Sequence, residues 1–235
     1  MVEGLVLRLE DQRRVKTLAG ECCELGRDPY SWHFHLFEGL RSLVGFQVAT
    51  AGMSDAPLEA LSIDKFRGVV DEGWSHPDHR AHCSTFWMKN GFREDPIYQA
   101  QLKTSGDVVC TRPQDAVDDT TWRRSAVLNE YYRFAEQEEM MGGMMKPPPE
   151  SGVSLSFINL LGPKTDPRFS VRDRDVLAAA LAELRPQIGL GLTPFGDSPP
   201  CGVSHRARQI MALLLRGLAE KEVAGCLGIS QHTVH

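Results

Sequence analysis

The chain has no run of apolar residues near the roughly 18 to 20 that a membrane-spanning helix needs. No membrane partner is expected, therefore. Its first residues, MVEGLVLRLEDQRR, break a short apolar stretch with charge and offer no small-residue cleavage site, so no signal peptide is read and a cytoplasmic location is expected. Also missing are a CxxC pair, a phosphate-cradling glycine loop, a nucleophile elbow and an HExxH pattern. GLGLTPFG, at 189–196, lacks the strand-to-helix context of a dinucleotide site. No enzyme activity and no cofactor are expected. The six cysteines (22, 23, 83, 110, 201 and 226) have no framework spacing, which predicts reduced and mostly buried thiols.

What is present is an ordinary globular composition, with 42% hydrophobic and 24% charged residues over 235 positions. That length holds one medium domain and a small second module. The net charge of -5 is unevenly spread. Acidic residues dominate 1–190, whereas residues 203–235 set Arg206, Arg208, Arg216 and Lys221 against Glu220 and Glu222. Global acidity therefore says nothing against nucleic-acid binding by the tail.

Along the chain, Leu9, Val15, Leu18, Cys22 and Leu25 form a broken helical stripe, which Leu5 extends toward the N-terminus. Ser31 is a candidate cap for a second helix, and Phe46, Val48 and Thr50 alternate as a strand. Residues 58–72 have helical spacing, GDVVCTR at 106–112 reads as a strand, and 121–134 read as helix. MMGGMMK at 140–146 reads as a strand pair or bend, with soft thioethers that would suit copper(I) but are better explained by packing. Val153, Leu155 and Phe157 alternate with Ser154 and Ser156 as the clearest strand. Ser170 and Asp173 resemble a capping box opening a long helix to residue 188, the candidate either for pairing two chains or for transmitting a change to the linker. HPDHRAHC invites a metal through His76, His79, His82 and Cys83, but Pro77 and Asp78 predict a turn, so no metal is expected.

These elements predict an α+β sensor over 1–188, with a central antiparallel sheet and flanking helices. Four glycines and three prolines in 189–202 predict a linker. Beyond it, Ile210, Leu213 and Leu214 share a helix face that Gly217 ends. A second helix spans Glu220 to Leu227, Gly228 is its left-handed cap, and Ser230 caps a third helix starting QHTVH. Helix, tight turn and capped helix make a helix-turn-helix layout.

This segment resembles the DNA-binding domain of the LuxR/GerE family of transcription regulators. Arg206, Ile210, Leu213, Leu214, Gly217, Lys221, Glu222, Val223, Ala224, Leu227, Gly228, Ile229, Ser230, His232, Thr233 and Val234 carry the match. Two positions depart: Ala207 stands where the family usually has Glu, and Ala219 where it usually has a capping Ser or Thr. The resemblance implies double-stranded promoter DNA as partner. It places Lys221, Ser230, Gln231, His232, Thr233, Val234 and His235 at the phosphates or bases, and implies a homodimer. The given chain stops at His235, about one turn into the recognition helix, which predicts a weakly ordered, partly wet module. A signalling or dimerisation module without DNA binding is the alternative.

The larger part is similar to the GAF/PAS-like sensors of this family in WRRSAVLNEYYR and in FSVRDRDVLAAALAELRPQI. It is more loosely similar to the family's quorum-sensing α-β-α sensors in Trp87, Phe92, Asp95, Pro96, Tyr98 and Trp122. That resemblance implies a small apolar ligand held by Trp87, Asp95, Tyr98 and Trp122. A phospho-receiver is not expected, because the strand at 106–112 ends in Thr111 and Arg112 rather than in acids.

Overall fold

The computed structural model of the protein describes residues 7–163, 168–196, 210, 213–214, 217–227 and 229–234. Arg206 and Arg208 of the tail, the linker residues 197–202, Leu5, Gly228 and His235 lie outside the described residues. The frame is α+β. Five strands, β1 (Val48–Ser54), β2 (Phe66–Glu72), β3 (Val108–Thr111), β4 (Gln137–Met145) and β5 (Leu155–Pro163), form one sheet in the order β2-β1-β5-β4-β3. Every neighbouring pair is antiparallel.

Helices cover both faces, so strand residues alternate between two buried layers rather than between core and water. On one face α1 (Leu9–Glu24), α2 (Pro29–Val44) and α7 (Val171–Leu184) pack on Ala49, Ala51, Met53, Met141, Ile158 and Leu160. On the other, α3 (Pro77–Met88), α4 (Pro96–Leu102), the short α5 (Pro113–Ala116) and α6 (Asp119–Arg124) join a π-helical turn, Val127–Tyr132, over Val48, Met140, Leu155 and Leu161. The methionine run is therefore plain strand, with Met141 and Met145 in the first layer and Met140 and Met144 in the second.

Four local expectations change. Residues 58–72 form two 3-10 turns followed by β2, because Phe66–Glu72 finds a strand partner in β1. The cap of α2 is Asp28, whose Oδ2 accepts from the Ser31 amide (3.0 Å) and hydroxyl (2.7 Å), while Ser31 itself lies in the first turn. The expected helix over 121–134 is broken into α6, the π turn and a 3-10 turn. HPDHRAHC opens α3 instead of forming a loop: Pro77 sits at the first helical position, where its missing N–H is harmless, and His76 Nδ1 accepts the Asp78 amide.

Helix α7 begins with the capping box read from the sequence, Ser170 and Asp173 bonding each other's amides. Its stripe of Val176, Leu177, Ala180, Leu181 and Leu184 is spent on the core of its own chain. At its start Arg172 grips the buried Asp11 of α1 through Nη2 (2.5 Å) and Nε (3.0 Å), and donates to the Leu43 carbonyl. Removing the cation strands a buried carboxylate. Arg172→Ala is expected to cost about 3 kcal/mol in urea unfolding, whereas Arg174→Ala, whose partners Asp115 and Asp175 are more exposed than Asp11, costs less than about 1. Equal losses would refute the distinction.

The segment expected to be a linker stays packed as far as Phe195. Leu192 and Phe195 are buried, the Thr193 amide donates to the Gly26 carbonyl (2.7 Å), and Trp32 Nε1 donates to the Thr193 carbonyl (3.1 Å). A side chain at Gly26 has no room, since its β-carbon would fall 1.7 Å from the Gly191 carbonyl oxygen.

Toward the C-terminus, α8 (Glu220–Leu227) and α9 (Gln231–Val234) follow a glycine turn. Gly217 has φ +85°, its amide donates to the Leu214 carbonyl, and the Leu218 amide reaches back to Leu213, the paired closure of a Schellman motif. Ala219 lacks a capping side chain, and Glu222 instead accepts its amide (2.7 Å). Ser230 caps α9 by accepting the Thr233 amide (3.2 Å). Ile210, Leu213, Val223, Ala224 and Val234 bury one another. The apolar groups expected to stay wet thus divide: Ile210, Val223 and Val234 are covered, Leu227 is half-covered and Leu214 is exposed.

Candidate ligand-binding layer

The second layer, between the sheet and α3, α4, α6 and the π turn, is where aromatic and polar side chains converge. Its floor is set by strand register. Thr50, Asn159 and Gly142 stand opposite one another on β1, β5 and β4, so they share one face. Asn159 Nδ2 donates to Thr50 Oγ1 at 3.5 Å, and Gln101 of α4 donates to the Gly142 carbonyl at 3.1 Å. All three polar side chains are buried.

The four residues read from the sequence as ligand contacts are all brought into this layer. Trp87 stacks on Phe157 and on Phe92, each at 5.6 Å between ring centres, and meets Phe66 edge-on at 6.3 Å. Tyr98 meets Phe92 edge-on at 5.3 Å and donates its hydroxyl to the Leu58 carbonyl at 2.7 Å. Asp95 caps α4, its Oδ1 accepting the Ile97 amide at 2.8 Å, while Tyr132 donates to Oδ2 at 3.4 Å. Burial pushes the Asp95 carboxyl up to about 6 against these hydrogen bonds. Trp122 is 5% exposed, lies 6.5 Å from Tyr132 ring to ring, and its indole N–H has no acceptor among the described residues.

A buried donor left unpaired costs about 1–3 kcal/mol. The layer therefore carries a hydrogen-bond donor and a hard-to-ionise carboxyl among aromatic side chains over a floor of Thr50, Gln101 and Asn159, the chemistry of a site for a largely apolar molecule with polar groups. The π turn adds a local irregularity of the kind common at functional sites.

Sequence reading missed Tyr132, Thr50, Gln101 and Asn159. For Thr50 and Asn159 the signal was present, as polar residues in the alternating pattern of strands buried on both faces. Tyr132 meets Asp95 across 37 residues, and no local spacing encodes that.

The histidines of HPDHRAHC take separate partners. His76 caps α3, His79 Nδ1 meets Ser75 Oγ (3.0 Å), and His82 Nε2 meets the Glu130 carbonyl (2.6 Å). Among the described residues no three His, Cys, Asp or Glu side chains come together as a metal site. No described helix is long and apolar enough to cross a membrane.

Of the residues assigned to DNA, Lys221, Ser230, Gln231, His232 and Thr233 are exposed on α8, α9 and the turn between them. Val234 is buried with Ile210, Leu213 and Val223. His235 is not described.

A scan against protein-family models and a search of curated proteins returned no match. Among solved structures the chain is similar to Escherichia coli SdiA, with 16% identity and a TM-score of 0.41, over 88% of this chain and 80% of that one. SdiA in complex with octanoyl-rac-glycerol matches at 16% identity and a TM-score of 0.42, over 93% and 83%. The N-acylhomoserine lactone dependent LuxR family transcription factor CepR2 from Burkholderia cenocepacia matches at 14% identity and a TM-score of 0.46, over 75% and 92%. Similarity of this size leaves function to be argued from the chain's own residues.

Proposed function

We propose that the protein is a transcription regulator in which a sensor layer binds a small, mostly apolar molecule and the C-terminal helices contact double-stranded promoter DNA. The observation that carries the sensor half is the buried Trp122 indole N–H without an acceptor, in the same layer as Asp95, Tyr98 and Trp87. A ligand carbonyl would satisfy it, and Asp95 with Tyr132 would offer a second polar contact. The DNA half is supported by the run GL-x-x-KEVA-x-x-LGIS-x-HTV and by a Ser230-capped α9 whose Gln231, His232 and Thr233 are exposed. The protein acts as a homodimer, since two half-sites roughly double the contact energy of one small module. It works in the cytoplasm.

Trp122→Phe separates ligand binding from packing. With no acceptor to lose, the ligand-free variant is expected to match the wild type in urea unfolding or exceed it by about 1 kcal/mol. Native mass spectrometry of protein purified from its own host should show a retained small molecule on the wild type and much less on the variant. A destabilised variant that retains the molecule equally well would refute the assignment. Mobility-shift titration against upstream DNA at several salt concentrations tests the other half: affinity must fall as salt rises, through counterion release. Absence of binding would leave a ligand-binding signalling module.

A further inference from the structure

We propose that residues 188–195 are a releasable latch that sets the reach of the C-terminal helices, with β2 as the lever coupling the latch to the aromatic layer. The segment joins sensor to output, yet it is clamped on the sensor face opposite that layer. Two bonds hold its middle, from the Thr193 amide to the Gly26 carbonyl and from Trp32 Nε1 to the Thr193 carbonyl. Phe195 holds its end, stacked on His33 at 4.9 Å and meeting Tyr30 edge-on at 5.2 Å. Ile188 and Leu192 are buried and close a small turn, the Gly189 amide donating to the Leu192 carbonyl at 2.8 Å, and the chain is loose only between them. Leu190 is 76% exposed, and glycines 189 and 191 flank it. A segment held at discrete anchors, Ile188, Leu192 and Phe195, with exposed backbone between the first two, opens locally before its domain unfolds.

The lever is the geometry of β2. Gly68 lies against Phe195, so closely that a β-carbon there would sit 2.6 Å from the Phe195 ring. Two residues earlier on the same strand, Phe66 puts its ring on the opposite face among Trp87 (6.3 Å), Phe92 (6.3 Å) and Phe157 (5.4 Å). The β1–β2 register shifts between Met53 and Ser54, at the Phe66 end of the pairing, which is where an edge strand can adjust without breaking its ladder. A change in the packing of those rings therefore moves β2 against the Phe195 seat. Release of eight residues lengthens the tether by up to about 27 Å at full extension. A change of that size alters which separation of DNA half-sites two tethered modules can reach.

Taking the aromatic layer as the trigger rests on the function proposed above; the latch itself does not. Hydrogen exchange of the full chain, read on peptides covering 188–196 and on β5, tests both parts without any ligand. Gly68→Ala should raise exchange of 188–196 at least tenfold with β5 unchanged. Phe195→Ala should do the same from the other side of the contact. Phe66→Leu, which touches only the opposite face, should raise latch exchange at least threefold. Small-angle scattering of the Gly68→Ala chain should show a larger maximum dimension. The latch is refuted if 188–196 and β5 open together in the wild type, or if Gly68→Ala and Phe195→Ala leave latch exchange unchanged. The lever is refuted if Phe66→Leu leaves it unchanged while Gly68→Ala raises it. Failure of the ligand proposal would appear elsewhere, as protein from its host carrying no small molecule.

Discussion

Lowering the pH from 6.5 to about 3 is expected to remove up to about 5 kcal/mol of stability through one residue, His33. Its imidazole is buried on α2, stacked on Trp32 at 3.5 Å and on Phe195 at 4.9 Å. Nδ1 lies 2.5 Å from the Pro29 carbonyl, which can only accept, so Nδ1 carries the proton of the neutral ring. Burial holds its pKa down to about 3, the Pro29 bond opposing this, against an ordinary 6.5. Below pH 6.5 the unfolded chain therefore takes up a proton that the folded chain refuses, and stability falls by about 1.4 kcal/mol for each tenfold rise in proton concentration. The loss is complete near pH 3, where the folded chain protonates as well. His33→Phe keeps the ring stack and removes the titration. Between pH 7 and pH 4.5 the wild type should lose about 3 kcal/mol more than the variant in urea unfolding. Equal losses would show that the ring reaches water in the folded protein.

Asp95→Asn is expected to stabilise the ligand-free protein at pH 7.5 by up to about 3 kcal/mol and to change nothing near pH 4. The Asp95 carboxyl is pushed from an ordinary 3.8 up to about 6, chiefly by burial. Between those values the folded chain holds a proton that the unfolded chain has released, so stability declines as pH rises and stays low above 6. Asn keeps the oxygen that accepts the Ile97 amide, and it is an equally good helix cap. It has no charge to bury. Between about pH 4 and 6 the His33 and Asp95 effects have opposite slopes, so the wild-type curve hides both and only the variants expose them. A variant less stable than wild type at pH 7.5 would mean that the carboxylate is better solvated than its burial implies. A native acid that costs stability where a neutral isostere would not is a mark of a site kept for function.

Much of the architecture could be read from residue patterns, and its failures have physical causes. The Ser170–Asp173 box and the Gly217 turn are local codes, and each forms as read, whereas the strand read from Val153–Phe157 starts only at Leu155, runs on to Pro163 and is buried on both faces. β2 was misread because FRGVVDE is an edge strand whose pairing with β1 is fixed by tertiary contact, while the spacing of Leu58, Leu61 and Phe66 imitates a helix. α3 was misread because Pro77 breaks a helix everywhere except at its first turn. The linker looked free because glycine and proline signal irregular backbone, not exposure; Leu192 and Phe195 anchor it to distant residues. In the candidate site the aromatic residues and Asp95 could be found one by one. That they share a layer with Tyr132 and the polar floor depends on strand order, which no window of sequence contains.

The strand order also sets a timetable for synthesis. β1 pairs on one side with β2, which follows it closely, and on the other with β5, whose residues leave the ribosome about a hundred positions later. At 5–20 residues per second, Val48–Ser54 waits on the order of 5 to 20 seconds with one edge of its backbone unpaired. Throughout that interval the first helices and the β1–β2 pair expose the apolar faces meant for α7 and β5. Contacts so far apart in sequence make folding slow, and they make the nascent N-terminal third the part of this protein that most needs a chaperone's cover.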